Sequence, residues 1–157
     1  MTAAVSGTHP VIRAAGPLDA GAVGGLLTQG AAGFDWMPKL HSAAEDVAHA
    51  GHMIGRGWVQ VIERGGAVCG FMARNEAEIH ALYIDKYAQN QGLGSRLLHA
   101  AQSGCAHLAL WTFQANTGAQ RFYLRHGFRE TARTDGASTD EKLPDIHYVW
   151  SRNGDIA

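Results

Sequence analysis

The chain has little cysteine, no bias toward charge of one sign and no long apolar run. Its two cysteines, Cys69 and Cys105, give neither a disulfide framework nor the spacing of a zinc site. Both are expected to be reduced thiols, as in a cytoplasmic protein. Cys69, set between apolar neighbours in a strand pattern, reads as buried and inert rather than as an acyl-carrying nucleophile. Thirteen Lys and Arg stand against fourteen Asp and Glu, a formal net charge of −1. Such a balance offers no global attraction for nucleic acid or an anionic membrane. The stretch between Asp19 and Asp35 is uncharged but glycine-rich, and it is shorter than the roughly 20 apolar residues a membrane span needs. The opening MTAAVSGTHPVIRAAG lacks the basic start and continuous apolar segment of a secretory signal. These absences lead to the expectation of a soluble, cytoplasmic protein with no nucleic-acid or membrane partner.

What is present is enough chain for one hydrophobic core: 157 residues, 46% of them apolar. No repeat, low-complexity tract or linker divides it. VIRAA (11–15) reads as a first strand. PLDAGAVGGLLTQG (17–30) is a glycine-diluted helix opened by Pro17. After the loop 34–41, residues 42–54 form a second helix, with Ser42 as N-cap and Glu45 at the capping-box spacing. GWVQVIE (57–63) and AVCGFMAR (67–74) flank RGG as a β-hairpin, and 76–85 follows as another strand. A helix with Leu93, Leu97, Leu98 and Ala101 on one side runs to about Gly104. The strand 107–113 comes next, then a helix 116–126 capped by Asn116 and stopped by Gly127. FRETAR (128–133) and DIHYVW (145–150) are the final strands. A hairpin feeding a β-α-β-α-β run predicts a single α/β sheet domain spanning 1–157.

Two glycines, Gly92 and Gly94, stand where the strand ending at 85 gives way to a helix. A helix N-terminus presents unpaired N–H groups and the positive end of its dipole. Glycine there lets phosphate oxygens approach the backbone; the plainer alternative is a tight turn. A Walker loop is excluded, because Ser95 and Arg96 follow Gly94 in place of Lys-Ser/Thr. A dinucleotide fingerprint is excluded because Leu97 occupies its third small position.

QNQGLG (89–94) fits the Q/R-x-x-G-x-G loop, and NTGAQRFYLRHGF (116–128) the N-x-x-A-x-x-F-Y-x-x-x-G-F signature, of a known family. The second match runs through Asn116, Ala119, Phe122, Tyr123, Gly127 and Phe128. In these residues the chain resembles the GCN5-related N-acetyltransferases (GNAT family) over about residues 10–151. Lys86 stands where many members have proline, and Asn90 where many have glycine. The resemblance implies a mixed, mostly antiparallel twisted sheet of six or seven strands, splayed at its centre and flanked by about four helices. It also implies acetyl-CoA as co-substrate, no metal, and acetyl transfer to a primary amine by direct attack in a ternary complex.

Carried over position by position, the resemblance assigns acetyl-CoA binding to Leu82, Tyr83 and Ile84, whose backbone would lie along the pantetheine arm and supply the oxyanion donor. The pyrophosphate falls to Gln89, Asn90, Gln91, Gly92, Leu93, Gly94 and Ser95, with Asn116 and Phe122 as further contacts. Tyr123 matches the tyrosine that protonates the departing thiolate. Glu78 and His80, two apart in a strand, project from one face. They occupy the positions of a histidine pair in the similar arylalkylamine N-acetyltransferases, so either is a candidate base; the alternatives are two solvated strand residues near the sheet's edge, or His80 as a hydrogen-bonded core histidine. Trp36 and His41 lie where the acceptor pocket is often lined. His49 and His52, one helical turn apart, lack a third ligand and read as a surface pair.

The loop 133–145 carries Asp135, Asp140, Glu141 and Asp145, an acidic rim suited to a small cationic amine if it is more than a solvated loop. A homodimer is allowed, with the C-terminal strand pairing across an interface. The competing readings are a catalytically silent acyl-CoA sensor, acetylation of a peptide or protein amine, and an interaction domain whose glycines only turn the chain.

Overall fold

A computed structural model describes residues 9–154; the expectation of no secretory signal falls partly on residues 1–8, outside the described residues. Among those described, the elements run β1 (Val11–Ala14), α1 (Ala20–Ala32), α2 (Ala43–Gly55), β2 (Val59–Arg64), β3 (Ala67–Asn75) and β4 (Glu78–Ile84). They continue with α3 (Leu93–Gly104), β5 (His107–Phe113), α4 (Thr117–Arg125), β6 (Arg129–Thr134) and β7 (Asp145–Ser151). Short 3-10 turns occupy Pro17–Asp19 and Lys86–Ala88. The chain divides into two compact units. The first runs to Arg74 and takes up Ala81–Ala100; the second takes Asn75–His80 and the chain from Ala101 onward. The strand order is β1-β2-β3-β4 in the first and β4-β5-β7-β6 in the second, seven strands of one mixed sheet. That is the expected α/β class and strand number. No helix of the described residues is long and apolar enough to cross a membrane.

In the first unit β1, β2 and β3 are antiparallel, with a bulge between Ile62 and Glu63. Alternation along β2 and β3 sends Val59, Val61, Phe71 and Ala73 into one core with Val23 and Leu26 of α1 and Ala50, Met53 and Ile54 of α2. The glycine dilution of α1 has a packing cause: a Cβ on Gly24 would lie 2.6 Å from Val47 Cα, so the two helices approach closely only without a side chain there. The N-terminus of α2 carries the expected capping box. Ser42 Oγ accepts from Glu45 N (3.1 Å), and the Glu45 carboxylate accepts from Ser42 N (2.8 Å). The bond from Ser42 N, and after it the Ser42 hydroxyl, hold the Glu45 carboxyl below its usual range.

In the second unit β5 and β7 pair antiparallel from His107 opposite Ser151 to Phe113 opposite Asp145. Leu108, Leu110, Ile146 and Tyr148 are buried on one face. Ala109, Trp111 and His147 alternate onto the other, where the Trp111 and His147 rings lie 4.7 Å apart. The start of β4 joins parallel to β5, Glu78 opposite Ala109. Three expectations are corrected here. The C-terminal strand β7 is hydrogen-bonded to β5 on one side and β6 on the other. It therefore has no free edge with which to pair across an interface; β6 is the edge of this unit. Asp145 is no part of an acidic rim: it is 7% exposed, with its carboxylate bonded to the Thr134 hydroxyl. Cys69, expected to be buried, is half-buried, its thiol 3.4 Å from the Ala67 carbonyl oxygen.

Candidate functional site

In the first unit the glycine loop is built by backbone conformation. Asn90 (φ 62°) and Gly92 (φ 80°) are both left-handed. Asn tolerates that region better than most side-chain-bearing residues, so Asn90 takes without glycine a conformation that glycine adopts most readily. A Cβ on Gly92 would meet nothing within 4 Å; the space beside the start of α3 is open. Leu93, Leu97 and Leu98 are buried and anchor the helix behind the loop, and Arg96 N donates to Gly92 O at 3.1 Å. Gly94 and Ser95 are half-buried, while Gln89, Asn90, Gln91 and Gly92 are exposed. Open space, a left-handed turn and a helix N-terminus together suit an anionic group that approaches the backbone.

The segment leading to that loop is tied down by side chains. Leu82, Tyr83 and Ile84 end β4 half-buried, with the Tyr83 ring 5.8 Å from Phe71. Asp85 N donates to Cys69 O at 2.7 Å, and the Asp85 carboxylate accepts from Tyr87 N at 3.0 Å. Gln89 Nε2 donates to Ile84 O at 3.2 Å. Two contributors escaped the sequence reading. Gln29 of α1 donates to Asp85 and accepts from Lys86 N. Arg64, at the end of β2, donates through Nη1 to Gln91 Oε1, and its buried Nε has no partner among the described residues. Neither lies in a local pattern that a linear reading could detect. Trp36 stacks on Phe34 with centroids 4.6 Å apart, and His41 is exposed beside the α2 cap.

The second unit holds the other candidates. Glu78 and His80 do project from one face of β4: His80 Nε2 and Glu78 Oε1 are 3.5 Å apart, with 34% and 54% of their side chains exposed for His80 and Glu78. Both side chains are open to solvent. Asn116 Oδ1 accepts from Ala119 N at 3.0 Å, the expected cap of α4. Tyr123 is 8% exposed, set edge-on between Phe122 and Phe128 with centroids 5.1 and 5.3 Å away. Its ring is thus core, and any chemistry rests on its hydroxyl. In the loop after β6, Asp135 accepts from Ala137 N at 2.9 Å. Asp140 is exposed and Glu141 half-buried. Arg133 pairs with Glu130 at 2.6 Å, which holds the Glu130 carboxyl below its usual range. His49 and His52 are exposed on α2. Among the described residues no group of three His, Cys, Asp or Glu is placed to hold a metal ion.

The acetyltransferase (GNAT) domain family matches residues 48–130, more than half of the chain and parts of both units. The peptidyl-lysine N-acetyltransferase YjaB of Salmonella typhimurium is 29% identical over 93 residues, 59% of this chain; the chain spans 63% of that relative's length. The solution structure of apo YjaB from Escherichia coli superposes with a TM-score of 0.76 at 18% identity, covering 91% of this chain and 98% of that one. The structure of yncA, a putative acetyltransferase from Salmonella typhimurium with its cofactor acetyl-CoA, superposes with a TM-score of 0.72 at 19% identity, covering 96% and 98%. At these identities the structural likeness is one of fold.

Proposed function

The chain belongs to the acetyltransferase (GNAT) domain family, and from that premise we propose that it moves an acetyl group from acetyl-CoA to the primary amine of a small molecule. The observation that carries this reading is the loop 89–95. Two left-handed residues and open space at Gly92 lead into a helix N-terminus, a cradle suited to the coenzyme's pyrophosphate. When bound, acetyl-CoA supplies an acetyl carbonyl and a thiol leaving group.

The chain's own residues then have distinct tasks. In the first unit, Gln89 to Ser95 hold the phosphates through backbone N–H groups and the α3 dipole. A backbone N–H of Leu82–Ile84 donates to the carbonyl oxygen as negative charge gathers there. Trp36 and His41 orient the acceptor. In the second unit, Glu78 or His80 takes the proton from the incoming ammonium, which near pKa 10 is otherwise unreactive; Glu78 does so through water. Tyr123 gives its phenolic proton to the departing sulfur, while Asn116 and Phe122 contact the coenzyme. The exposed carboxylate of Glu78, with Asp140 and Glu141, favours a cationic acceptor. A lysine amine in a peptide is the second reading, favoured by the relative named for that activity.

The test is turnover of acetyl-CoA against small amines and lysine peptides, with Tyr123→Phe, Glu78→Gln and His80→Gln alongside. Tyr123→Phe is expected to lower kcat about 10- to 100-fold while acetyl-CoA affinity changes less than about twofold. One of the two β4 variants should lose a comparable factor. Wild-type protein that binds acetyl-CoA but turns over no amine would favour the silent sensor. No saturable binding at all would overturn the proposal.

A further inference from the structure

At the entry to the glycine loop, residue 86 is a lysine where many family members carry proline. Proline at such a point fixes φ near −65° and gives up its backbone N–H. Here that N–H is used: Lys86 N donates to Gln29 Oε1 at 2.8 Å. The same amide, through Nε2, donates to Asp85 Oδ1 at 2.9 Å. Asp85 in turn accepts Tyr87 N on Oδ2 at 3.0 Å and Ala88 N on its backbone oxygen at 2.9 Å. Gln29 therefore bridges two adjacent residues of the loop entry from the last turn of α1. Its orientation is set by chemistry, because a flipped amide would put oxygen against a carboxylate and NH2 against an N–H. The helix that carries it is anchored by buried Val23 and Leu26.

We infer that Gln29 is a positioning residue for the coenzyme loop, performing by hydrogen bonding what proline performs by ring closure. Three features of the backbone fit this exchange. Asp85 lies at φ −52°, ψ 139°, outside the α region that a residue before proline avoids and with ψ in the range such a residue prefers. Lys86 is the first residue of a 3-10 turn, a position where proline is accommodated. Its side chain is exposed, so replacing it removes no core packing. The inference rests on the loop being the acetyl-CoA site, and it adds what sets that loop's geometry in this chain.

The test uses Gln29→Met, which keeps the side-chain volume without donor or acceptor, and Gln29→Met combined with Lys86→Pro. Two readouts are taken on the full chain: the acetyl-CoA dissociation constant by titration calorimetry and amide exchange at residues 86–92. Gln29→Met is expected to weaken acetyl-CoA binding roughly three- to tenfold, the scale of one or two lost hydrogen bonds. Exchange at Lys86 and Tyr87 should speed up. Adding Lys86→Pro should recover most of the affinity and restore protection at Tyr87. Unchanged affinity in Gln29→Met overturns the inference. So does a loss that Lys86→Pro fails to recover, since a merely structural role for Gln29 would be indifferent to ring closure at 86. Should Gln29→Met fold poorly, Gln29→Ala carries the same expectations. A wild-type chain that does not bind acetyl-CoA contradicts the family-based function first; the exchange readout then judges whether Gln29 still orders the turn.

Discussion

The starts of α2 and α4 contrast with the start of α3. Behind α2 stands Ser42, and behind α4 Asn116; each side chain accepts a first-turn N–H, from Glu45 and Ala119. Behind α3 stands Gly92, with no side chain to offer and open space around it. A helix whose first amides are satisfied by its own cap is finished as a structural element. One that begins behind a left-handed glycine leaves its N-terminal field to whatever enters that space. The same local physics thus gives two starts capped by side chains and one that follows a left-handed glycine beside open space. The start of α1 is a further variant: the Asp19 carboxylate turns back to Gly16 N at 2.8 Å and to the Arg13 guanidinium at 2.8 Å.

The largest expected effect removes the contrast altogether. Gly92→Glu puts a strained side chain and a negative charge into the open space, and should weaken acetyl-CoA binding on the order of a hundredfold or more. Calorimetry with circular dichroism as a control for folding decides it. Retained binding would mean that α3 does not face the coenzyme phosphates.

A smaller effect sharpens the other side of the comparison. Asn116→Ala should cost about 1 kcal/mol of stability, read as a Tm lowered by about 2–4 °C. Asn116→Asp keeps an acceptor for Ala119 N and should leave Tm nearly unchanged. If Asn116 also contacts the coenzyme, Asn116→Asp will lose affinity without losing Tm, and the two roles separate.

The smallest effect concerns α1 and acid. Hydrogen bonds from Arg13 and then from Gly16 N hold the Asp19 carboxyl at about 2, against an ordinary value of 3.8. A depressed carboxyl pKa contributes stability that is present above the unfolded value and is lost as pH falls through the folded one. The difference in urea midpoint between wild type and Arg13→Met should therefore be level above pH 3.8 and shrink as pH falls toward about 2. A difference that grew on acidification would contradict the assignment of the pair.

Much of the fold was legible because its signals are local. Ser42 with Glu45, Asn116, the Leu93–Leu97–Leu98 face and the alternation in 57–74 act within a few residues of themselves. Each element formed where they indicated, with ends differing by at most three residues. The glycine junction was legible from residue type, although the left-handed positions are Asn90 and Gly92 and not Gly94. The acidic loop misled because Asp145 reads as a charge by composition, whereas the Thr134 hydroxyl and the closing strands bury it. Arg64 and Gln29 were invisible because their partners lie 27 and 56 residues away.

The sequence by itself determined the helices and strands, their caps, and the left-handed turn that opens toward α3, since φ preferences and side-chain caps depend on neighbours along the chain. Only the tertiary structure decided that β7 inserts between β5 and β6, that the Tyr123 ring packs between two phenylalanines, and that an amide on α1 secures the entry to the loop. Those outcomes depend on which buried faces close against one another, and that closure brings together donors and acceptors that no local pattern joins.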